Sequence, residues 1–171
     1  MIMTSDPAAR DAVKHQVLDG FHATPYPGDD DLVRGGDPEC RAVADAFRGV
    51  DWRDVTIAMV RDHKEALPLF TPGAFRYFLP AYLIGCLDAP AEVDVALDGV
   101  VFNLTPPSRA ARQATFGARA QLFSAAERAA IVAFLEWMDA GEIADWASAG
   151  MEPPERRAKP ALAYWRGAAP D

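Results

Sequence analysis

The sequence predicts an all-α fold, a single-domain bundle of about six to seven helices around a buried central helix. Three observations lead there. From Leu69 to Leu87 the chain is a dense aromatic and aliphatic block whose one charge is Arg76, entered through Thr71 and Pro72. Thr is a good helix cap and Pro needs no donor in a first turn, and a helix with almost no polar face belongs inside a core. Further on, Ser124-Ala125-Ala126-Glu127 forms a capping box ahead of Ile131, Phe134, Leu135 and Met138 at helical spacing. Finally, the alternation of a strand occurs only over 93–104, so a sheet has nothing else to be built from.

The elements follow in order. Asp6 and Pro7 start a first helix to Phe21 that turns Val13, Val17, Leu18 and Phe21 inward. A Pro- and Asp-rich loop follows, and Asp37-Pro38 opens a second helix through Phe47, with Val43 and Phe47 facing in. Asp51 caps a third with the stripe Val55, Met59 and Ala66, closed by Leu67-Pro68. The central helix comes next, kinked or restarted at Pro80. Over 93–104, Asp98-Gly99 between alternating apolar residues signals a small β-hairpin, whereas Val93, Leu97, Val100, Val101 and Leu104 fit an amphipathic helix. A lone hairpin is marginal, and the helical surroundings favour the helix. Arg109 to Phe116 is a short helix or a loop. The helix from Ser124 ends near Gly141, Glu142 to Ala149 adds a short one, and after Pro153-Pro154 a tail docks through Ala161, Leu162, Tyr164 and Trp165. One domain spans 1–171, with 1–5 and 167–171 frayed. Phe75, Leu79, Leu83, Ile131, Phe134 and Leu135 are expected to share one core, because the two most apolar helices offer each other their largest faces.

The order Phe70-Thr71-Pro72, Ala74-Phe75-Arg76-Tyr77-Phe78-Leu79-Pro80-Ala81-Tyr82-Leu83, with Tyr26-Pro27-Gly28-Asp29 before it and Leu104-Thr105-Pro106 after it, resembles a family of small uncharacterised bacterial proteins defined as a domain of unknown function. The resemblance runs from the first helix to the region of Leu135. It implies no catalytic or binding residues.

A net charge of −8 argues against nucleic acid and against anionic membrane surfaces, and points to a basic protein as the more natural macromolecular partner. The uninterrupted apolar run from Tyr77 to Leu87 is too short to span a bilayer. The first residues lack a basic segment followed by an apolar one, so the expected location is cytoplasmic, with Cys40 and Cys86 as reduced thiols.

No catalytic constellation is visible. The histidines are His15, His22 and His63, and no Gly-x-Ser-x-Gly elbow occurs. His22 with Asp29, Asp30 and Asp31 falls short of a calcium loop, and Gly35-Gly36 lacks the Lys of a phosphate loop, so neither metal nor cofactor is expected. Two places remain as candidates. Arg76, the lone charge of the apolar block, with Tyr77 and Tyr82, offers a ligand pocket, because a buried guanidinium must be paired or bind an anion. Glu136, Asp139, Glu142 and Asp145 recur every three residues as an acidic row, and Asp88, Glu92, Asp94 and Asp98 form a second. Between the two rows lies a basic segment, Arg109, Arg112 and Arg119. The first acidic row, if it faces a partner, suits a non-catalytic binding protein, such as an immunity or antitoxin-type inhibitor of a basic protein. The alternatives are a small enzyme or ligand-binding protein with a pocket near Arg76, or a structural subunit.

Overall fold

The computed structural model describes residues 6–153 and 155–167. Among them are eight α-helices and no strand: α1 (Pro7–Gly20), α2 (Pro38–Phe47), α3 (Ile57–Asp62), α4 (Pro72–Asp88), α5 (Asp94–Leu104), α6 (Ala110–Ala120), α7 (Ala125–Ser148) and α8 (Lys159–Gly167). Of the ends expected to fray, 1–5 and 168–171 lie outside the described residues, while Gly167 is the last residue of α8. No helix of the described residues is long and apolar enough to cross a membrane.

Helix starts follow local chemistry. Asp6, Asp37, Thr71 and Ser124 each accept a hydrogen bond from a first-turn amide, and Ser124 and Glu127 complete the capping box. The third segment differs from expectation. Asp51 caps only a 3-10 turn, Trp52–Asp54, and Thr56 caps α3. A second good cap five residues on restarts the chain, so the inward residue is Val60, and Ala66 and Leu67 are buried in the turn beyond the helix.

Pro80 does not restart the chain: α4 runs through it with most of its residues buried. Packing on all sides outweighs the one backbone hydrogen bond that proline forfeits. The β-hairpin over 93–104 does not form. Asp98 and Gly99 sit inside α5, because Val93, Ala96, Leu97, Val100, Val101 and Leu104 all bury on one helical face and no strand lies alongside. The expected break at Gly141 is also absent: α7 is one helix of 24 residues with Gly141 buried inside it. The cost of Gly in a helix, about 1 kcal/mol against Ala, is small beside the packing of this central rod.

Phe75, Leu79, Leu83, Ile131, Phe134 and Leu135 are all buried in one apolar cluster that reaches from Val13 to Trp165. Helices α1 and α8 both lie against α7. The end of α1 approaches α7 so closely that a Cβ on Gly20 would come 2.9 Å from the Ala126 carbonyl oxygen. A single antiparallel bridge, Val33 with Phe70, ties the loop before α2 to the entrance of α4.

Candidate functional site

The first candidate pocket is dispersed by helix geometry, since neighbouring positions leave α4 in different directions. Arg76 points at the start of α7, where its Nε lies 3.0 and 2.9 Å from the two oxygens of Glu127. That carboxylate is only 1% exposed and also accepts from the Thr24 hydroxyl at 2.5 Å and the Ser124 amide at 2.6 Å. The buried charge is therefore paired and its acceptors filled. Tyr77 meets Tyr26 edge to face, with centroids 5.2 Å apart, and burial raises its pKa. Tyr82 is fully buried and donates to the His63 carbonyl at 2.7 Å, and burial pushes its hydroxyl well above the usual phenol range. The three side chains thus meet three different sets of partners, Glu127, Tyr26 and the His63 carbonyl.

The acidic row does form a ridge along α7, and the chain's own tail meets it. Arg156 pairs with Asp139 through both ends of its fork, with Nε to Oδ1 at 2.7 Å. Arg157 reaches Glu142 at 3.3 Å and Asp98 of α5, and Arg166 reaches Glu136 at 2.7 Å. Asp139 and Glu142 are 6% and 5% exposed, and Asp145 is partly buried one turn further on. In the second acidic row, Asp88 pairs with Lys14 at 2.5 Å. The basic segment Arg109, Arg112 and Arg119 makes none of the salt bridges to the ridge among the described residues. α7 ends at Ser148, Gly150 beyond it takes a positive φ of 71°, and the tail lays three arginines over the ridge.

The basic segment borders an open cleft of about 1030 Å³, which Arg109, Arg112 and Arg119 line together with Arg34. Its walls are Phe102, Phe116 and four prolines, Pro68, Pro106, Pro107 and Pro160, and among the described residues no Asp or Glu lines it. Each element positions one part. Arg34 is held by the bridge region, with its amide bonded to the Leu69 carbonyl and its Nε to the Phe70 carbonyl, both at 2.9 Å. Arg109 occupies the cap position of α6, which has no side-chain cap, and Arg112 follows in the first turn. Cations at the positive end of a helix dipole oppose helix formation.

Arg119 is the centre of this arrangement. It is 8% exposed, donates to the Asn103 carbonyl at 2.5 Å, and lies 3.8 Å over the Phe75 ring. Burial, and then the like charge of Arg34, pull its guanidinium down to about 10. Among the described residues, none of the four arginines forms a salt bridge. The cleft therefore concentrates positive charge, with forked donors suited to carboxylate or phosphate, in a chain that is acidic as a whole. Three of its arginines are visible in sequence as an acid-free run. Arg34 carries no such signal, because only the Val33–Phe70 bridge brings it to the others.

A family model described as "Family of unknown function (DUF6714)" matches residues 34–169. The match takes in all four cleft arginines and the ridge with its three arginines. It begins after the Tyr26 to Asp29 stretch and runs well past Leu135. No curated protein and no solved structure matches the chain.

Proposed function

The chain belongs to the DUF6714 family, whose function is unknown, and we propose that this member is a cytoplasmic, non-catalytic binding protein that takes a multiply charged anion in the arginine cleft. One observation carries the reading: Arg119 is buried, feels the like charge of Arg34, and among the described residues pairs with no carboxylate. Burying a guanidinium without a counter-charge is costly, and a bound anion relieves that cost directly. The start of α6, which lacks a side-chain cap, adds a positive dipole end to the same place. Binding rather than turnover fits the lining, which among the described residues holds Ser, Thr and Asn but no His, Cys, Asp or Glu to move a proton.

A second reading keeps the α7 ridge as the docking face of an immunity or antitoxin-type inhibitor for a basic protein. It is favoured by the exposure of Arg166 and Glu136, 57% and 49%, which leaves that pair open to exchange. Such a partner has to replace arginines the chain already supplies, which lowers the net gain.

Thermal unfolding with pyrophosphate and with citrate, against sodium chloride at equal ionic strength, tests the first reading. An anion at one hundred times its Kd stabilises the folded state by about 2.7 kcal/mol. Wild type is expected to gain stability beyond the chloride control, and Arg109→Ser/Arg112→Ser to lose most of that gain. No gain over chloride, or an equal gain in the variant, overturns the proposal.

A further inference from the structure

The geometry points to a free nucleotide, a phosphate chain joined to a flat ring, as the class of ligand the cleft takes; this rests on the anion-binding reading. Size decides first. A cavity of about 1030 Å³ lies at the upper end of small-molecule pockets, so an inorganic anion held by the arginines would leave most of it to water. Charge decides next. Four guanidinia and a helix start call for several negative charges close together, which a diphosphate supplies on adjacent groups and a single carboxylate does not.

The apolar wall gives the remainder of the ligand. Phe102 lies at this cleft yet is 71% exposed, while Val100, Val101 and Leu104 of the same helix are buried. An aromatic ring left in water beside rigid prolines is a stacking platform, and flat rings stack on aromatic and guanidinium faces. An acyl chain is a poorer match, because an open cleft cannot enclose it on all sides and so recovers little of its hydrophobic free energy. A nucleic-acid polymer is disfavoured by the net charge of −8, which repels a long polyanion beyond the cleft.

The test is isothermal titration of the full chain at low salt with four probes: pyrophosphate, ADP, GDP and benzene-1,3,5-tricarboxylate. At least one nucleoside diphosphate is expected to bind about tenfold or more tighter than pyrophosphate. Phe102→Ala, which removes an exposed side chain and leaves the core intact, should bring that nucleotide to within about threefold of pyrophosphate and leave pyrophosphate unchanged. If pyrophosphate binds and neither nucleotide binds tighter, or if Phe102→Ala leaves the nucleotide advantage in place, the nucleotide assignment is overturned and the anion cleft stands. Tighter binding of the tricarboxylate than of either nucleotide overturns the phosphate part. Binding of none of the four overturns the anion-binding reading itself.

Discussion

The α7 ridge and the α5–α6 cleft are opposite answers to one electrostatic problem. On the ridge, Glu136, Asp139 and Glu142 each meet an arginine of the tail, and two of the three carboxylates are almost fully buried. In the cleft, four arginines converge and none forms a salt bridge among the described residues. Charge that a fold needs is closed internally, whereas charge gathered at a cost and left open is better explained by something that binds. The acidic row is the more conspicuous in sequence, yet the cleft is the stronger functional lead. Density of charge along the chain says little until its counter-charge is located in space.

Both regions hang on the same core, so the largest effect should strike them together. Phe134→Ala empties a fully buried site on α7 and should cost about 3–5 kcal/mol in urea unfolding, with loss of citrate binding as the fold gives way. A variant as stable as wild type would show that the shared core is not what holds the two regions.

A matched pair of substitutions separates them. Arg156→Ala leaves the Asp139 carboxylate buried without its partner and should lower the urea midpoint, by less than breaking a fully buried pair would because Arg156 is part-exposed. Arg112→Ser, also an arginine lost, should change stability by no more than about 0.5 kcal/mol, and in the favourable direction at low salt, since it removes a cation from a helix start. Equal destabilisation by the two would erase the contrast.

The smallest effect is a change with pH. Arg119 titrates near 10 in the folded protein, below the ordinary guanidinium value. Its charge is therefore complete at neutral pH, and stability and anion affinity should be flat there. Above pH 10 the folded state releases this proton before the unfolded chain does, so Arg119 then favours folding as pH rises, while the cleft loses the charge that holds an anion. Affinity for citrate, which is fully ionised throughout, should be level from pH 7 to 9 and decline through about 10. A decline that starts near neutrality would point to a different group.

Much of the fold was legible because its signals are local. Thr71-Pro72 and the Ser124–Glu127 box each mark a helix start through hydrogen bonds within one turn, and the buried stripes of α4 and α7 follow from spacing alone. The helix over 93–104 was favoured against its Asp98-Gly99 turn signal and is found, whereas Gly141 carries a preference for a stop that packing overrode and Asp51 caps a shorter turn than expected because Thr56 offers a second cap. The site was less legible for a related reason. Arg109, Arg112 and Arg119 stand out as a run, but pairing them with the acidic rows was the natural one-dimensional choice. That Arg156, Arg157 and Arg166 take the carboxylates depends on how the tail folds back after Pro153.

The tail also makes the two contrasted regions mechanically one. Arg157 ties Asp98 of α5 to Glu142 of α7, the Trp165 indole donates to the Leu104 carbonyl at 2.8 Å, and Pro160 of the same segment forms a wall of the cleft. The contacts of the tail thus join parts of the chain some sixty residues apart, Trp165 to Leu104 and Arg157 to Asp98. Removing the segment from Pro160 to Trp165 should therefore take away a wall of the cleft and a tether of α5 in one step.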